Sequence, residues 1–295
     1  MTSRATSISE FKQKISSLIT AAGASYGSAF HPRPDDVIIA TYPKAGTTWM
    51  QQIVHGLRSG GDMGFEEISE AVPWIELAYD LDQDLTADHA ATPRAFKTHY
   101  SGSDVPKGCR YIYIIRDPKD VAVSFYHFME GWFLEPGAIS LDDYVQEIFI
   151  GTVNAGSYWH HFLSWWPHLK NPDFLLLTYE DMKEDLPGTV KRVAEFLKIN
   201  ADASTLDIAT RQASFDFMMR HGSQFDDHPL AQKRNAACGL PQSAGSSKLR
   251  TGNTGSHTNA MSKDTQTKLD RIWQETIGET LGFSNYQELR NALKP

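Results

Sequence analysis

The segment Asp36-Val-Ile-Ile-Ala-Thr-Tyr-Pro-Lys-Ala-Gly-Thr-Thr-Trp49 constrains the fold more than any other stretch of the chain. Val37, Ile38 and Ile39 form a β-branched run, the pattern of a strand covered on both faces, and Pro43 ends it. Lys44, Gly46, Thr47 and Thr48 then place an ammonium, an unobstructed backbone and two hydroxyls where the chain turns helical. The free N–H groups and positive dipole end of such a helix attract an anion. The loop is not a Walker A motif, because that motif needs an early glycine followed by Gly-Lys-Ser/Thr, whereas here the lysine precedes the glycine. An ordinary nucleotide kinase is thereby disfavoured. The plain alternative is a tight strand-to-helix turn with a solvated lysine.

A chain of 295 residues, 41% of them hydrophobic, can bury one large core, and a single domain over residues 1–295 is expected. Its net charge of −8 argues against nucleic acid as a partner, so any anion site must be local. Cys109 and Cys238 make no disulfide framework and have no zinc-ligand spacing, which fits a reducing, cytoplasmic setting. Glu10, Lys12 and Lys14 interrupt the apolar residues of the N-terminus, and no apolar run is long enough to span a membrane.

Along the chain, Ile8, Phe11, Ile15, Leu18 and Ile19 predict an amphipathic helix capped by Ser7 or Ser9, followed by a loop from residue 23. Strands are expected at 94–99, 110–115 and 174–179, and helices at 119–129, 141–150, 157–169, 186–197 and 262–281. Alternating strands and helices predict an α/β fold with a mostly parallel sheet flanked by helices, whose ligands bind beyond the carboxyl ends of the strands. Lys44, His99, Arg116 and Tyr179 all lie at or just past strand ends, so one shared cleft follows. Residues 224–258, rich in Gly, Ser, Ala and Asn, read as a long mobile loop. His160 and His161 point about 100° apart on a helix and make a poor chelate. Trp165 and Trp166 read as packing residues, and the pairs Glu66-Glu67 and Asp226-Asp227 as solvated surface.

The run Thr-Tyr-Pro-Lys-x-Gly-Thr-Thr-Trp resembles the 5′-phosphosulfate loop of the cytosolic sulfotransferases, with Ala45 where that family usually has serine. The resemblance extends over residues 30–281. Tyr111-Ile-Tyr-Ile-Ile-Arg116-Asp-Pro, continuing to Ser124, looks like the family's 3′-phosphate strand, turn and helix. A third motif departs from the pattern: Arg250, Gly252 and Gly255 stand where the family has Arg-Lys-Gly-x-x-Gly, but Thr251 and His257 replace other family residues and two lysines are missing. Lys248 or Arg234 is a candidate to compensate. The family's C-terminal dimer motif is not recognisable, which leaves monomer or dimer open.

The resemblance implies transfer of a sulfuryl group from 3′-phosphoadenosine-5′-phosphosulfate (PAPS) to the hydroxyl, less readily the amine, of a small acceptor, leaving the bisphosphate PAP. The implied donor contacts are Lys44, Ala45, Gly46, Thr47, Thr48, Trp49, Arg116, Ser124, Tyr179, Ser214, Phe215, Met218, Arg250, Thr251 and Gly252. In Phe96-Lys97-Thr-His99 the implied base is His99, which titrates in the range a hydroxyl nucleophile needs. Lys44 and Lys97 are to stabilise charge, Ser124 is to tune Lys44, and no metal is required because a sulfuryl group carries less charge than a phosphoryl group. Phe30, Trp74, Leu77, Lys97, His99, Trp132 and Phe133 are to line an apolar or aromatic acceptor pocket, with residues 131–137 as a lid. A catalytically silent PAP-binding protein, a magnesium-dependent kinase and a ligand-free scaffold are the alternatives.

Overall fold

The computed structural model describes residues 2–151 and 157–294. Four strands form one parallel sheet in the order β2-β1-β3-β4, with β1 at Val37–Thr41, β2 at Ala95–Thr98, β3 at Arg110–Ile115 and β4 at Phe174–Thr178. The register sets Val37 against Ala95 on one side and Arg110 on the other, and Ile115 against Thr178. The chain leaves β1 towards β2 and leaves β3 towards β4, so the connections diverge above the carboxyl ends of β1 and β3. That divergence opens a crevice.

Alternation along each strand feeds two cores. Ile38, Ala40, Phe96, Tyr111 and Tyr113 join an aromatic-rich cluster with Trp159, Phe162 and Trp165, in which Tyr113 stacks on Trp165 with ring centroids 5.2 Å apart. Val37, Ile39, Ala95, Ile112 and Ile114 join an aliphatic cluster with Ile53, Val54, Val190 and Val193. The β-branched runs are therefore covered on both faces, as a parallel sheet requires.

Several elements differ from the sequence reading. The N-terminal helix is Ile8–Ile15, with Ser7 accepting from the Glu10 N–H. A second helix, Ala21–Ser28, occupies the stretch read as loop. Gly23 and Gly27 lower its propensity, but the Thr20 hydroxyl accepts from the Gly23 N–H at 2.9 Å and both glycines pack against residues of the 75–81 segment. Residues 224–258 contain the helix His228–Arg234, with proline in its first turn and Leu230 and Ala231 buried. Helix 141–150 is Leu141–Tyr144 continued by a π-helical turn, Val145–Phe149. Trp165 and Trp166 agree with the sequence reading: Trp165 is buried in the aromatic core, with Trp166 packed against it.

Ile112 is fully buried at the centre of β3. Ile112→Ala should cost about 2–5 kcal/mol of unfolding free energy, from lost transfer energy plus the cavity left behind, read from the urea midpoint with an unchanged m-value.

Candidate functional site

The loop after β1 carries the first piece of the site. Gly46 caps the helix Thr47–Ser59 at φ 116°, a backbone that side chains rarely adopt, and a Cβ there would lie 3.1 Å from the Tyr179 ring. No side chain caps this helix, which leaves its first N–H groups without a capping partner, the arrangement that attracts an anion. Lys44 itself is left-handed, at φ 70°. Its ammonium lies 4.1 Å from the centroid of the Phe128 ring. Burial, aided by Lys248, pushes Lys44 down to about 7, against the opposing pull of Asp227.

Arg116, just past β3, is pinned from three sides. Its guanidinium donates to the Lys44 carbonyl at 3.3 Å and to the Asn253 carbonyl at 3.0 Å, and it lies 4.2 Å from the centroid of the Tyr179 ring. Tyr158 donates its hydroxyl to the Arg116 carbonyl at 2.5 Å. The buried Nε of Arg116 has no protein partner. A buried donor of this kind is costly unless a ligand oxygen completes it.

The end of β2 supplies the third piece. The Nδ1 of His99 lies 2.8 Å from the Thr41 carbonyl. A carbonyl only accepts, so Nδ1 carries the proton and Nε2 is the basic nitrogen. Burial pushes His99 down to about 3, so the ring stays neutral. Trp74 meets it edge-on with centroids 5.1 Å apart, and the Glu76 carboxylate accepts the His99 backbone N–H at 2.6 Å. Lys97, two residues earlier and on the same face of the strand, lies 4.1 Å from the Trp74 ring centroid and 3.6 Å from Asp227.

One cavity of about 980 Å³ joins these pieces. Lys44, Gly46, Thr47, Thr48, Trp49, Arg116, Ser124, Tyr179, Ser214, Phe215, Met218, Arg250, Thr251 and Gly252 line one part of it, and Trp74, Lys97, His99 and Trp132 another. Trp49 is fixed by its indole N–H, which donates to the Ala213 carbonyl at 2.7 Å. Gly252, at φ 61°, lets the 250–252 turn pass the Phe215 ring, which a Cβ would meet at 2.8 Å. Ile15, Leu18, Ile19, Phe125, Phe128 and Met129 add apolar wall.

Other expected residues lie elsewhere. Ala45 turns into the core and spends its N–H on the Tyr42 carbonyl. Phe30 is buried against Phe96, with centroids 4.9 Å apart, while Leu77 and Phe133 are fully buried; none of the three lines the cavity. Residues 131–137 are tied down: Arg4 donates to the Gly131 carbonyl, Ala5 pairs with Leu134, and Trp132 donates to Asn235 at 2.8 Å. The N-terminal residues Leu18, Ile19 and Ala21 stand at the cavity instead. Arg234 turns away to the carbonyls of Ser17 and Leu18, so it supplies nothing to the altered third motif.

Asp227 and Glu67, read as solvated, are 4% and 2% exposed, and both face Lys248. No local pattern marks them, because their partner is a distant lysine. Phe128 was within reach of sequence reasoning, since it lies one helical turn after Ser124. The third motif is held by Asp120, whose carboxylate accepts the Gly255 N–H at 2.6 Å, the His257 N–H at 3.2 Å and the His257 ring N–H at 2.9 Å. That side-chain bond to Asp120 is the leading cause of a raised His257 pKa.

Comparison with known proteins identifies this architecture. The family model of the sulfotransferase domain matches residues 34–281. The chain belongs to the PAPS-dependent sulfotransferase family. It is 35% identical to sulfotransferase 1B1 of dog over 269 residues, 86% of this chain and 88% of that protein. It is 32% identical to human sulfotransferase 1E1 over 270 residues, with the same two coverages. Among solved structures, retinol dehydratase in a complex with retinol and PAP superposes with a TM-score of 0.70 at 20% identity, covering 89% of this chain and 88% of that one. Mouse sulfotransferase SULT7A1 complexed with PAP gives 0.66 at 23% identity, covering 90% and 92%. Among the described residues no helix is long and apolar enough to cross a membrane.

Removing the carboxylate that holds the third motif should loosen that turn alone. In Asp120→Ala the amides of Gly255 and His257 should exchange with solvent at least about tenfold faster, while those of β1 and β3 keep their protection. Hydrogen exchange followed by mass spectrometry makes the comparison.

Proposed function

We propose that this sulfotransferase binds PAPS across the carboxyl ends of β1 and β3 and delivers its sulfuryl group to the hydroxyl of a small acceptor with an apolar or aromatic body. The observation that carries the reading is His99: its Nδ1 is committed to Thr41, and its ring shares one cavity with Lys44, Lys97 and Arg116. The residues present fit a doubly phosphorylated nucleotide. The uncapped helix start after Gly46 suits the 5′ end, and the unpartnered Nε of Arg116 with the nearby Ser124 suits the 3′-phosphate. Trp49, Tyr179 and Phe215 offer flat walls for adenine.

When bound, the donor supplies a sulfuryl group attached to a phosphate leaving group. His99 Nε2 takes the acceptor proton as the acceptor oxygen bonds to sulfur. Lys44 and Lys97 meet the charge that collects on the departing phosphate as its bond to sulfur breaks. Burial keeps His99 Nε2 unprotonated across the physiological range but makes it a weaker base than the free imidazole the sequence reading expects, and the negative charge of a bound donor raises its basicity. Trp74, Trp132, Phe125 and Met129 support an apolar acceptor. The two cysteines are free and buried, which supports a reducing compartment such as the cytoplasm.

The test is transfer of labelled sulfate from PAPS to a panel of phenols, alcohols and amines. His99→Ala should lower turnover by about 10²–10⁴-fold while PAP binds as before. Unaltered turnover in that variant contradicts the base assignment. Nucleotide binding without transfer to any acceptor favours the silent binder, the reading to which the missing third-motif lysines lend support.

Binding should also depend on pH through Lys44. The free ammonium loses its proton through about pH 7, whereas the bound phosphates favour the charged form, so association takes up a proton above that range. The Kd for PAP should rise from about pH 7 towards pH 9, by up to about tenfold per unit. Lys44→Met should flatten that rise, and calorimetry in buffers of different ionisation enthalpy reads it; a parent profile flat to pH 9 contradicts it.

A further inference from the structure

We propose that Asp227 is a positioning residue for the reaction, keeping the Lys97 ammonium charged and in place beside His99, and that Lys248 sets how strongly it does so. The proposal rests on the sulfuryl-transfer reading for its consequence, though not for its electrostatics.

One carboxylate oxygen stands between two ammoniums. Asp227 Oδ1 is 2.5 Å from Lys248 Nζ and 3.6 Å from Lys97 Nζ. The side chains of Lys248, Asp227 and Lys97 are 9%, 6% and 3% exposed, so water screens none of these contacts well. Asp227 adopts a left-handed backbone, at φ 59°, just before the helix His228–Arg234. Such a conformation persists in a non-glycine residue only where the surroundings fix it. The partner loop is fixed too: the buried Asn235 side chain donates to the carbonyls of Pro241, Gln242 and Ala244, which anchors the chain leading to Lys248.

Two buried lysines competing for one carboxylate divide its stabilisation unequally. Lys248 takes the shorter contact and has a second anion, Glu67, at 3.6 Å. Burial alone would lower it, but Asp227 and Glu67 outweigh burial and leave it raised. Lys97 has the longer contact, and burial pushes it down to about 8 although Asp227 pulls it up. Lys248, Asp227 and Glu67 all act on Lys97; Lys44, Glu76 and His99 are the other titratable groups coupled to it. Removing Asp227 or removing Lys248 must therefore move Lys97 in opposite directions. A pair that only held the core together would move the Lys97 titration in the same way but leave the pH dependence of kcat/KM where it was.

The experiment measures kcat/KM for PAPS against pH, together with the pH titration of the Lys97 ε-carbon by NMR, in the parent, Asp227→Asn and Lys248→Met proteins. Asp227→Asn should move the alkaline limb and the Lys97 titration to lower pH by about one unit, which lowers kcat/KM about fivefold at pH 8 and about tenfold well above it. Lys248→Met should move both to higher pH. Where Asp227→Asn does not fold, Lys248→Met decides alone, because it removes a buried charge and leaves Asp227 to Lys97. Titrations that stay at the parental pH, or that move the same way in both variants, overturn the proposal. A parent protein that transfers sulfate to no acceptor defeats the functional reading instead, and the NMR titration still decides the charge relation.

Discussion

Positive charge buried beside an apolar cavity, with less negative charge than it needs, is the condition on which this structure turns. Lys44, Lys97, Lys248 and Arg116 converge where the sheet's connections diverge, and Asp227 and Glu67 answer them only in part. Buried cations without full partners are costly. The fold bears that cost because the parallel sheet and its two cores are extensive, and the remainder is offset when an anion binds.

The same condition explains why the backbone is unusual at the site. Lys44 and Asp227, two of the non-glycine residues with positive φ, both belong to the charge cluster, and Gly46 and Gly252 supply the two turns that bring main chain close to aromatic rings. Local strain at these points buys close approach to a ligand, and the packed surroundings hold it there. His99 follows the opposite logic. It stays neutral by burial and is aimed by a single carbonyl, so on the proposed reading proton acceptance and anion binding fall to different side chains.

What was legible in the sequence was what local order encodes. The β-branched residues of β1 and β3 and the apolar run of β4 gave those strands, because strands buried on both faces need such residues. The residues following β1, β2 and β3 gave Lys44, His99 and Arg116, because a parallel sheet gathers its strand ends on one side. What was not legible was long-range pairing. Asp227 and Glu67 look like surface acids until Lys248 is folded against them, and Phe30, Leu77 and Phe133 are apolar in any reading, so nothing in their spacing separates a core position from a pocket wall. The helix Ala21–Ser28 escaped notice because its stability comes from tertiary packing rather than from propensity.

The central claim is that the helix start after Gly46 and the guanidinium of Arg116 are two halves of one bisphosphate grip. A crystal structure of the protein with PAP tests it most directly. The account predicts the 5′-phosphate on the backbone N–H groups around Thr47 and Thr48, with Lys44 against it, and the 3′-phosphate on Arg116 Nε and Ser124. A nucleotide bound elsewhere, or bound in this cavity with Arg116 Nε still unpartnered, would contradict it.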